Sequence, residues 1–240
     1  TTGQQNVAIG LQSLYANTFG GNNVSIGYVA LQQNTTGSQN IAIGHSTMAA
    51  NTTGAFNSAV GFKSLRFNVV GSNNTAFGSY ALHYNTTNNN SAFGYKALNA
   101  NTTGAFNVAV GYISLQSNTR GSYNTAVGYN SLSANTFGNY NSAFGYKALN
   151  SNTTGNRNSA FGYSSLRLNT IGVRNAAFGY AAMLYNTSGN NNSAFGTMAL
   201  YVNTTGANNT AIGYNSMYFN TIGQNNTSVG HQALYSNTTG

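Results

Sequence analysis

Apolar and small residues return along this chain at intervals of 17, not at the 3.6 of a helix or the 2 of an isolated strand. Counted from a leading Asn, the unit reads N-T-T-G-x-x-N-x-A-h-G-Y-x-(A/S)-(L/M)-x-x, where h is Ile, Val or Phe. Units begin at Asn17, Asn34, Asn51, Asn68, Asn85, Asn101, Asn118, Asn135, Asn152, Asn169, Asn186, Asn203 and Asn220. The step from Asn85 to Asn101 is 16 residues, because Asn85-Thr86-Thr87-Asn88 has lost its glycine. Fourteen units cover everything but the last 4 residues, and position 7 is always Asn, position 11 always Gly and position 15 always Leu or Met.

A fixed period of this size is the signature of a solenoid, whose units bury their apolar face only against their neighbours. Helical repeats need roughly 33 to 45 residues, and glycines spaced 7 and 10 apart leave no room for a helix. The unit therefore predicts an all-β parallel β-solenoid, a β-roll with one coil per repeat and two short strands per coil. In one unit these strands are Asn141-Ser142-Ala143-Phe144 and Lys147-Ala148-Leu149-Asn150. The corner Asn152-Thr153-Thr154-Gly155 has the Asn-first, Gly-fourth preference of a type I turn, where Gly takes positive φ at no steric cost. The bend after the first strand falls on Gly10, Gly27, Gly44, Gly61, Gly78, Gly94, Gly111, Gly128, Gly145, Gly162, Gly179, Gly196, Gly213 and Gly230. The h and Leu/Met columns are expected inside, and the small residues at positions 9 and 14 where another backbone approaches closely. Residues 1–240 read as one repetitive domain.

Composition removes most chemistry. The chain has 8 Lys+Arg, 3 His and no Asp, Glu, Cys or Pro, for a formal charge of +8. Without carboxylates there is no acid-base pair, Ser-His-Asp relay or oxygen cage for a divalent ion, and without cysteine no disulfide or thiolate site. No enzyme, cofactor or metal site is expected. Apolar runs are far shorter than the roughly 20 residues that span a bilayer, so no membrane insertion is expected either.

Stacked Asn columns are expected to bond each other and the turn backbone, with a polar ligand-binding surface as the rival reading. Asn-Thr-Thr also matches the N-glycosylation acceptor. His45 and His231 share a column eleven units apart and His83 lies in another, so they cannot share a metal and read as surface residues. Lys63, Lys96 and Lys147 share position 13, and Arg157 and Arg174 occupy position 6 of consecutive units. With no acids to pair, these cations either contact anionic polymers or keep chains from unlimited lateral aggregation. Tyr95, Tyr112, Tyr129, Tyr146, Tyr163 and Tyr180 fill position 12 of six successive units, a surface or inter-chain ladder that either packs on itself or stacks sugars or bases.

The recurring N-x-A-h-G, as in Asn107-Val108-Ala109-Val110-Gly111 and Asn40-Ile41-Ala42-Ile43-Gly44, resembles the repeat of the head domains of trimeric autotransporter adhesins. The longer motif is similar to repeats of tail-fibre-like surface proteins of bacteria and their phages. The resemblance spans all 240 residues, though the unit is longer than in the adhesin heads and these residues do not include the neck, stalk or anchor of that family. It implies a left-handed parallel roll, commonly three parallel chains, carried outside the cell for attachment.

The expected function is thus a non-enzymatic structural and adhesive shaft or head segment of an extracellular fibre, a cell-surface appendage or phage fibre. Its expected partners are copies of itself and a cell-surface glycan or other anionic surface. The alternatives are a solenoid that binds anionic polysaccharide or nucleic acid, and a cross-β fibril. Both ends fall inside the motif, from Thr1-Thr2-Gly3 to Asn237-Thr238-Thr239-Gly240, so further units are expected beyond at least one of them.

Overall fold

The computed structural model describes residues 2–240 and contains strands and turns but no helix. The chain divides into two compact units, the first ending at Arg120 and the second running from Gly121 to Gly240. The first contains seven strands, from β1 (Val7–Ile9) to β7 (Val108–Val110), and the second seven, from β8 (Thr125–Val127) to β14 (Thr227–Val229). Within each unit every strand pairs in parallel with the next, one coil further along the chain. Between β9 (Ser142–Phe144) and β10 (Ser159–Phe161), Ala143 pairs with Ala160 and Phe144 with Phe161, so like residues lie over like. The fold is a parallel β-solenoid.

Each coil has one three-residue strand, not two. The second expected strand is two successive turns: Ala148 N–H donates to Gly145 O (3.4 Å) and Asn152 N–H to Leu149 O (3.3 Å). Lys147 and Leu149 have φ of 54° and 51°, and the equivalent residues of every coil are likewise left-handed. The reason is burial. Ala148 and Leu149 are neighbours in sequence and both 0% exposed, whereas a strand turns consecutive side chains to opposite faces. The alternating left-handed backbone curls the segment so that both point inward. A left-handed Leu costs about 1–2 kcal/mol and a fully buried one returns about 1.5–3 kcal/mol, so burial wins. The segment still bonds to its neighbours, Lys147 N–H to Tyr129 O and Leu149 N–H to Ser165 O.

The h column is also not interior. In β9, Ala143 is fully buried while Ser142 and Phe144 on either side are half-exposed. With 17 residues to close a coil, the space inside holds chiefly the small residues of positions 9 and 14, Leu or Met of position 15 and two Asn amides. A Phe at position 10 has nowhere to go but outward.

Those amides are the most regular part of the fold. Asn152 Nδ2 donates to Asn135 Oδ1 in the coil before (2.9 Å) and to Gly155 O in its own turn (3.0 Å). Asn158 Nδ2 donates to Gly172 O (2.8 Å) and Asn141 Oδ1 (3.3 Å), and its Oδ1 accepts the backbone N–H of Asn175 (3.0 Å). Both columns are buried and their amides bonded, which is the condition for polar groups in an interior. The turn glycine serves this lattice by absence of a side chain, not by positive φ: a Cβ on Gly155 would collide with Gly172 O and Asn152 Oδ1. Where the glycine is missing, Thr87 takes its place, its carbonyl accepting from Asn85 Nδ2 (2.8 Å) and Asn74 Nδ2 (2.7 Å). The register recovers at once, with Ala76 of β5 (Thr75–Phe77) opposite Ala92 of β6 (Ser91–Phe93).

Candidate functional site

The bend glycines from Gly10 to Gly230 have φ between 123° and 139°, a region closed to L side chains. A Cβ on Gly145 would also stand 2.5 Å from Gly162 O, so both dihedral and space demand glycine. This bend follows the strand and turns positions 10 and 12 outward. Two ring columns result. In the second unit Phe144, Phe161, Phe178 and Phe195 stack at 4.7, 4.8 and 4.9 Å between centroids, with ring planes within 9° of parallel. Beside them Tyr129, Tyr146, Tyr163 and Tyr180 stack at 5.3, 4.8 and 5.3 Å. In the first unit Tyr95 stacks on Tyr112 at 5.3 Å, and His45 joins the same column between Tyr28 and Phe62 at 4.9 and 5.3 Å. His231 stacks on Tyr214 in the second.

The stacking decides what these rings can do. In the parallel-stacked columns of the second unit each inner ring is flanked on both faces by its column neighbours, so a sugar or base finds chiefly edges and hydroxyls. Tyr163 and Phe195 are nonetheless 50% and 40% exposed, which makes the outer surface of the strand a stripe of ring edges. Lys147 extends over Tyr146, with Nζ 5.1 Å from the ring centre, and Lys96 over Tyr95 at 5.3 Å. The cations of position 13 therefore border the aromatic stripe.

His83 is buried, not at the surface. Its Nδ1 carries the proton and donates to Lys63 O (2.8 Å), since a carbonyl only accepts. Asn150 at the same position of its coil donates to Asn130 O (2.9 Å), and Asn99 to Tyr80 O (2.9 Å). The histidine thus replaces an Asn in a recurring link from position 16 to the carbonyl of position 13 one coil earlier. Phe67, Tyr80 and Tyr84 close around the ring at 5.0, 5.2 and 4.6 Å. Burial pushes its pKa below the usual histidine range; the Lys63 carbonyl opposes this, while the charges of Arg66 and Lys63 add to it.

A cleft of about 320 Å³ lies over this histidine, lined by Tyr80, His83, Tyr84, Tyr95, Lys96 and Asn99. It coincides with the least regular coils, where Ser79-Tyr80 displaces the ring of position 12 by one residue and the next coil is short. A second cleft, of about 410 Å³, lies in the second unit among Asn139, Tyr140, Asn156, Arg157, Val173 and Arg174. Among the described residues no three metal-ligating side chains come together, and no helix is long and apolar enough to cross a membrane.

Except for Asn237 in the last turn, the Asn-Thr-Thr acceptors are inaccessible in the folded chain. Asn51, Asn101, Asn152 and Asn203 are 0% exposed, and their amide nitrogens are committed to the ladder. Sequence reasoning identified the ring and cation columns but missed both clefts and the burial of His83. The sequence held no clear signal for the latter, since position 16 varies widely and only Asn99 and Asn150 carry an amide that makes the same link. No family model matches the chain, and no curated protein or solved structure matches it.

Proposed function

We propose that the chain is a non-enzymatic structural segment of an extracellular fibre, a shaft or head that provides stiffness and a repeated surface for adhesion. The observation that supports this most directly is the interior. Within each unit, coil is joined to coil by backbone bonds and by two columns of buried amides, so the interior is given over to holding one coil on another. No carboxylate or thiol is present for catalysis.

The aromatic stripe gives the segment a face for its own kind. Stripes of ring edges such as Phe144 to Phe195 are larger than the scattered apolar residues of an ordinary surface, and such patches mark interaction sites. We place identical chains there, three in parallel, with the bordering lysines limiting further growth. Attachment to a glycan or other anionic surface then follows from many weak contacts made avid by repetition.

Light scattering after size exclusion tests the association. The expected mass is about three times the 25.1 kDa of the chain, falling to the single-chain value when Phe144, Phe161, Phe178 and Phe195 are replaced by Ser. A wild-type protein that elutes as one chain at high micromolar concentration refutes the lateral contact.

A further inference from the structure

Position 6 is left-handed in every coil, and in the second unit two successive coils fill it with arginine, Arg157 at φ 58° and Arg174 at 56°. Backbone bonds clamp both in register, from Arg157 N–H to Asn139 O and from Arg174 N–H to Asn156 O, each 3.0 Å. The strands that follow, β10 and β11 (Ala176–Phe178), pair Ser159 with Ala176, so the two arginine backbones are one strand spacing apart, about 4.8 Å. Both side chains are exposed and line the 410 Å³ cleft.

One guanidinium is already positioned. Arg157 lies over Tyr140 at 5.9 Å, and Tyr140 is backed by Tyr123 at 5.0 Å with planes 3° from parallel. This ring column gives the first fork a platform, and the second stands beside it. Two like charges lining one cleft repel, and no side-chain carboxylate exists anywhere in the chain to neutralise them. The missing counter-charge must come from outside.

We propose that this cleft binds a tetrahedral dianion, a sulfate or phosphate, bridged by Arg157 and Arg174. The charge of the ligand matches the two guanidiniums. Two forks supply more donors than one carboxylate has lone pairs to accept, whereas a sulfate or phosphate ester offers three terminal oxygens. Free in solution the group is a dianion; as an ester on a polymer it keeps three terminal oxygens, a phosphate monoester with nearly two charges and a sulfate ester with one.

Isothermal calorimetry at constant ionic strength, set with chloride, tests this with inorganic sulfate, inorganic phosphate and acetate. One site per chain is expected for the first two and none for acetate. R157Q/R174Q is expected to weaken sulfate binding about tenfold or more, while K63Q/R66Q, which removes the same charge from the other unit, leaves it unchanged. Equal losses in both double variants would mean that the overall positive field attracts the anion, and would overturn the site. So would acetate binding as tight as sulfate. Retention on a heparin column separates the sources: a lower eluting salt for R157Q/R174Q than for K63Q/R66Q assigns the site to polymer-borne esters, and equal retention alongside lost calorimetric binding assigns it to the free anion.

Discussion

Asn158 and Phe161 are three residues apart in one coil, both in columns of like residues, and the two columns behave differently. The Asn column is inside: Asn158 is fully buried and bonded to Asn141, Gly172 and Asn175. The Phe column is outside: Phe161 is half-exposed and touches its neighbours through ring faces, at 4.7 and 4.8 Å. Stacking in register therefore has two consequences. Directional bonds inside require one residue type at every level, while ring contacts outside accept His45, Tyr28 or Phe62 in the same column.

Substitutions can break that contrast, and the largest effect is expected where the backbone itself has no room. Gly145→Val puts a branched side chain at φ 132° and against Gly162 O, and is expected to cost more than about 4 kcal/mol in urea unfolding of the chain. Retention of wild-type stability would mean that the bend is not tight. Asn158→Leu keeps the volume but strands the N–H of Asn175 and takes one of two donors from the carbonyl of Gly172, which keeps Asn169 Nδ2. A loss of about 2–3 kcal/mol is expected from one orphaned buried N–H and one carbonyl left with a single donor, against about 1 kcal/mol for Phe161→Ser in the same assay. If the outer change costs as much as the inner one, the amide column is not what holds the coils.

His83 sharpens the comparison from the side of pH. With a folded pKa below its ordinary value, the folded chain keeps the imidazole neutral while the unfolded chain takes up a proton first as pH falls. Stability from this residue is present in full above about pH 6.5 and declines as pH falls toward the folded value. His83→Asn is expected to flatten thermal stability across that window while keeping the bond to Lys63 O. An unchanged pH profile would place the titration elsewhere. The smallest effect is a gain. Ile113 is β-branched at φ 50°, and Ile113→Asn is expected to raise stability by about 0.5–1 kcal/mol in urea unfolding, because Asn tolerates that backbone.

Much of this was legible because stacking turns a period into geometry. The invariant Gly of position 11 and Asn of position 7 announced a bend and a bonded column before any coordinates. The second segment misled because Lys147-Ala148-Leu149-Asn150 has the length of a strand. The contrary sign was there: small and Leu positions are adjacent in every unit, so both were bound for the interior and a period of 2 was excluded. A left-handed Leu149 runs against local preference and is imposed by burial, which no local rule reveals. For the same reason Phe144 looked like core, since the width of the coil is decided only when the turns close. Arg157 and Arg174 were visible as column neighbours, but the cleft between them depends on the left-handed backbone at position 6.

The buried amides also have a sense of direction. Asn34 donates to Asn17, Asn51 to Asn34 and Asn68 to Asn51, always from the later coil to the earlier. A coil laid on upside down would set oxygen against oxygen or hydrogen against hydrogen. The interior thus admits its successor in a single orientation, and polarity propagates from one layer to the next without any outside template.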